Sequence, residues 1–120
     1  MGTVIYDGSD TMEPLAATVS AMQTTANNLT AHAGGGQANA LALSAAMNRV
    51  TTVATAADSV ALPASVAGME VYVRNDGANA MQVFGTGTDT VNGVAAATGV
   101  SLAAAASATY RCVTTGAWVS

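Results

Sequence analysis

Residue alternation constrains this chain more than any other feature. In GMEVYVRNDGAN, residues 68–79, Met69, Val71 and Val73 fall on one side of an extended backbone, and Glu70, Tyr72 and Arg74 fall on the other. Asn75-Asp76-Gly77 then supplies turn chemistry, and AMQVF returns with Met81 and Val83 inward. The same grammar recurs along the chain. Thr51, Thr52, Val53 and Thr55 favour strand. In DSVALP, Val60 and Leu62 share a face and Pro63 stops the run. A brief strand falls near Val91, Val100 pairs with Leu102, and Tyr110 pairs with Cys112 opposite Arg111. Thr115-Gly116 turns the chain into AWVS. Short strands at roughly 8–12-residue spacing predict a mainly β fold, a small antiparallel β-sandwich or barrel. No internal repeat marks a solenoid. ANALALSAAMN, residues 38–48, fits either a strand with Leu41, Leu43, Ala45 and Met47 alternating or an Ala-rich helix.

The first 36 residues read differently. Leu15, Val19, Met22 and Leu29, with Ala26 between the last two, are spaced as on one helix face. Asp10 or Thr11 caps that helix, Glu13 completes a capping box, and Pro14 sits in the first turn. The helix would reach Ala31 or His32 and end at Gly34-Gly35-Gly36. Thr18, Thr24, Thr25, Asn27 and Asn28 are mediocre helix formers, so it would depend on packing its stripe. That packing is either on its own β domain or on other copies. Ahead of it, Thr3, Val4, Ile5 and Tyr6 favour an extended segment, paired with a neighbour's sheet edge, paired within its own sheet, or frayed. The organisation expected is an arm and helix over 1–36, ending in a glycine hinge, and a β domain over 37–120. Partner and self-assembly contacts are expected at Val4, Ile5, Tyr6, Leu15, Val19, Met22 and Leu29.

Composition supports assembly and argues against several partners. Hydrophobic residues make up 51% of the chain but aromatics only 4%, so alanine carries much of the count and a monomer's core is thin. A homo-oligomer is one way to supply the missing burial; a modest monomeric core is the other. There is no lysine, and Arg49, Arg74 and Arg111 are scattered in a chain of net charge −4. That balance does not suit nucleic acid or an anionic membrane. Ala95 to Ala108 is too short and too rich in small residues for a membrane span. One cysteine excludes an intrachain disulfide, and no secretory signal is evident, which predicts synthesis in a cytoplasm.

No catalytic or cofactor pattern emerges. His32 stands alone and suits a helix C-terminus better than a metal site. Cys112 reads as a buried small hydrophobe, not a nucleophile. Asp7, Asp10, Glu13, Asp76 and Asp89 are explained by capping and turns, and a calcium site in 86–92 would have one carboxylate. Gly34-Gly35-Gly36 lacks a following Lys-Ser/Thr, and GTGTDT is followed by no helix pattern, so neither is a nucleotide loop. Asn28-Leu29-Thr30 is a chance sequon. Trp118 and Tyr110 are expected in the core.

Asn48-Arg49-Val50-Thr51, Asp58 to Pro63, Gly68 to Gly77, Asp89 to Gly93 and Gly116-Ala117-Trp118 together resemble a β module of small virion proteins of tailed bacteriophages. Those include capsid decoration (cement) proteins and head- or tail-fibre components. The resemblance spans roughly residues 48–120. It implies a non-enzymatic structural protein, often trimeric, bound to the major capsid protein on the virion surface, with no active-site residues to transfer. A fibre module recognising a host surface glycan is the alternative it implies.

Overall fold

A computed structural model describes residues 23–120. Among the described residues ten strands follow one another: β1 (Thr25–Thr30), β2 (Leu41–Ala42), β3 (Met47–Thr52), β4 (Ser59–Ala61), β5 (Glu70–Asn75), β6 (Met81–Phe84), β7 (Thr90–Val91), β8 (Val100–Leu102), β9 (Ala106–Thr114) and β10 (Ala117–Val119). They form a six-stranded sheet, β1-β3-β5-β9-β10-β7, and a four-stranded sheet, β2-β4-β6-β8.

The chain is mainly β, as alternation predicts, but its connectivity is solenoid-like and not that of an antiparallel sandwich or barrel. From Thr25 to Phe84 it winds three times, laying one strand in each sheet per coil. β1, β3 and β5 pair in parallel, and so do β2, β4 and β6. The NDG turn is therefore a corner between sheets and not a hairpin. Gly77 N–H donates to Asn75 Oδ1 at 2.9 Å, and Asn75 Nδ2 donates to Asn79 O at 3.0 Å and Leu102 O at 2.9 Å. Corners stack on one another as the strands do. Asp58 accepts from Gly34 N in the coil before (3.2 Å) and from Thr55 N in its own (3.0 Å). Asn79 Nδ2 in the next corner donates to Val53 O at 2.8 Å.

After Phe84 the winding stops. β8 runs antiparallel to β6 and β9 antiparallel to β5, which ends the parallel stacking in both sheets. The core lies between the sheets. Val50, Val71, Val73, Tyr110, Cys112 and Trp118 share one cluster with Val60, Met81, Val83 and Leu102. Both Trp118 and Tyr110 are buried.

No helix occurs among the described residues. Residues 25–30, expected as the last turns of a helix, form strand β1, the edge of its sheet among the described residues, and residues 10–22 lie outside the described residues. Thr25, Asn27 and Asn28 disfavour helix, while pairing with β3 satisfies the backbone. The strand is irregular: its register shifts on both sides of Leu29, and Asn28 is left-handed at φ 56°. The three glycines are a corner of the first coil. All have positive φ (98°, 72° and 82°), which glycine alone adopts without cost. His32 before them exchanges backbone hydrogen bonds with Ser59, and β2 after them pairs with β4, so both flanks join the same body and the glycines do not hinge it.

Candidate functional site: the outer face of the six-stranded sheet

Alternation along β3, β5 and β9 sends every second side chain away from the core, and the strand register sorts those side chains into rows. Thr25, Met47, Tyr72 and Thr109 form one row. Arg49, Arg74 and Ser107 form the next, and Glu70, Arg111 and Val119 lie on the other side of Tyr72. All three arginines of the chain thus meet on one face, although they are far apart in sequence.

Two guanidinium groups directly opposite each other across parallel strands repel. Here Asp76 stands between them: Arg49 Nε donates to Oδ2 and Arg74 Nε to Oδ1, each at 2.7 Å. The corner holds that carboxylate in place, because Asp76 N–H donates to Val50 O at 2.8 Å. The hydrogen bond from Arg49, then that from Arg74, keeps the Asp76 carboxyl below its ordinary pKa of 3.8. Arg49 Nη1 also donates to Asn27 Oδ1 at 3.1 Å, whereas Arg74 donates to the described residues through Nε alone. Arg111 pairs with Glu70 at 2.9 Å, with both side chains more than half exposed. Between the Arg49–Arg74 row and the strand edge lies a shallow depression of about 350 Å³, lined by Thr25, Asn27, Met47, Arg49, Tyr72 and Arg74. Met47 is 43% exposed, and Tyr72 is half-buried.

The opposite sheet presents small or amide side chains outward, such as Ala42, Gln82 and Ser101. No group of three or more metal-ligating side chains occurs among the described residues. Cys112 is buried, with Sγ 3.2 Å from Thr114 O. The Asp89 carboxylate accepts from Ser65 N at 3.0 Å, so it holds its loop to a neighbouring one. His32 follows a strand, not a helix.

Of the contacts expected from sequence, Val4, Ile5, Tyr6, Leu15, Val19 and Met22 lie outside the described residues. Leu29 is half-buried in β1 and packs on the core of its own chain. An antiparallel reading of the strands hides the arginine row, which only parallel register brings together. Its signal was the correspondence of Asn48-Arg49-Val50 with Val73-Arg74-Asn75, which occupy the same places in consecutive coils. Comparison with known protein families, curated proteins and solved structures found no match to this chain.

Proposed function

We propose that the chain is a structural virion protein of a tailed phage, a decoration or cement protein that binds the major capsid protein on the outer surface of the head and stabilises subunit junctions. It acts as a homo-oligomer, with a trimer the favoured state, and performs no catalysis. One observation carries this reading: among the described residues the three arginines, Tyr72 and Met47 lie together on a broad sheet face and not in a cleft. Arg, Tyr and Met on that face, with no Lys in the chain, match the composition enriched at protein interfaces. Burial of Trp118 and Tyr110 removes two of the few residues on which a sugar could stack. Many weak contacts over a lattice hold by multivalency.

Copy number per particle tests this, measured by quantitative mass spectrometry of purified virions carrying the protein. Hundreds of copies in a simple ratio to the major capsid protein are expected. A few copies per particle would overturn the decoration role and favour the second reading, a fibre module recognising a host glycan. Tyr72 beside Arg49 and Arg74 favours that alternative, and a glycan array checks it.

A further inference from the structure

We infer that the arginine face of one chain receives the acidic N-terminal segment of a second copy, with Asp7, Asp10 and Glu13 meeting Arg49 and Arg74. The inference rests on the assembly reading above and names the contact that would join copies.

Charge complementarity is the first support. Residues 1–22 contain Asp7, Asp10 and Glu13 and neither Lys nor Arg, so three of the chain's seven acids lie there with no compensating cation. The receiving face carries three arginines against Asp76 and Glu70. Asp76 takes only the Nε edges of Arg49 and Arg74, which orients the guanidinium groups and leaves Arg74 able to pair with a carboxylate through its Nη atoms. Met47 and Tyr72 add an apolar floor, and Val4, Ile5, Tyr6 and Leu15 of the segment are apolar counterparts.

Reach is the second support. The segment joins the body at Gln23, which lines a depression with Met47, Glu70 and Tyr72, so it departs from the margin of this same face. The Arg49–Arg74 row is two residues along the strands from Met47–Tyr72, about 7 Å. Asp7, Asp10 and Glu13 precede Gln23 by 10 to 16 residues. That is roughly 15–50 Å of chain at helical or extended rise, long enough to cross from its own body to the same face of an adjoining copy, whereas a segment folded back on its own face would leave the chain monomeric. A contact given at one side and received at the other is head-to-tail and closes into a ring when the rotation allows.

The test uses the full chain in sedimentation equilibrium, with Trp118 fluorescence as the check on folding. The wild type is expected to associate. Arg49→Glu with Arg74→Glu, and separately Asp7→Arg with Asp10→Arg and Glu13→Arg, should each weaken association by about tenfold or more. In an equimolar mixture each variant's face meets the other's segment with opposite charge, so the mixture should associate more strongly than either variant alone, although an odd-membered ring keeps one like-charged contact. The neutral pair Arg49→Gln with Arg74→Gln should weaken association in the same direction, which keeps the test readable where charge reversal unfolds the chain. A wild type that stays monomeric, variants that associate as the wild type does, or a mixture that stays apart would each overturn the contact. Copy number on virions is read independently, so loss of this contact and loss of the virion role are distinguishable.

Discussion

The three coils and the section that closes them solve opposite problems with different residues. The coils, residues 25–84, are parallel, and their core positions are mainly aliphatic: Val50, Val60, Val73, Met81 and Val83. Stacking buries each strand between neighbours, where β-branched side chains pack well. The polar work is done at corners, where buried Asp58 and Asn75 accept or donate the backbone bonds that a ladder cannot supply. The closing section does not continue the parallel coils. It reverses direction against β5 and β6 and fills the end of the core with Tyr110 and Trp118. A parallel stack is an open template at each end. Antiparallel β8 and β9 interrupt the parallel pairing at one end, and among the described residues the irregular β1 with left-handed Asn28 stands at the other.

The largest expected effect breaks that division. Trp118 is completely buried in a cluster that also holds coil residues Val50 and Val60. Trp118→Ala should cost about 3–5 kcal/mol in denaturant unfolding, and the loss should appear as one cooperative transition. Two transitions, with the coils surviving the first, would mean that coils and closure are separate folding units.

The next effect is specific to the closing section and is read by pH. Burial raises the Tyr110 hydroxyl to about 12 from 10.0. The folded state then holds a proton that the unfolded state has released, so stability is intact below pH 10 and falls as pH rises toward 12. The loss is on the order of 2–3 kcal/mol by linkage and should be absent in Tyr110→Phe. An equal alkaline loss in Tyr110→Phe would assign it elsewhere.

The same contrast explains what could be read from sequence. Inward positions were legible wherever alternation was clean: Val71 and Val73, Met81 and Val83, Tyr110 and Cys112 are all buried as expected. The winding was not legible, because the coils differ in length. Leu41, Val60 and Val83 align at steps of 19 and 23 residues, and Thr25, Met47 and Tyr72 at steps of 22 and 25. No fixed period survives such variation in the corners, and an Asn-Asp-Gly corner looks like a hairpin turn. The spacing around Leu29 fits a helix face, but edge pairing with β3 decides the conformation of residues 25–30. The candidate site depended on coil register and so was hidden along with it.

The smallest expected effect sharpens the comparison on the coil side. Arg49 and Arg74 come from consecutive coils, and Asp76 is the anion that lets them stand opposite each other. Its pKa is lowered in the folded state, so its contribution is present above the ordinary carboxylate value and is lost as pH falls below 3.8. The pair is solvent-accessible, which screens the interaction and keeps the change in melting temperature small. Asp76→Asn should therefore unfold near the wild-type temperature at pH 7, and its acid limb below pH 4 should be shallower than that of the wild type. Thermal melts from pH 2.5 to 7 in low salt measure both. Identical acid limbs would show that Asp76 organises the guanidinium groups without holding the coils together, leaving the buried corner residues and the closing strands to do that.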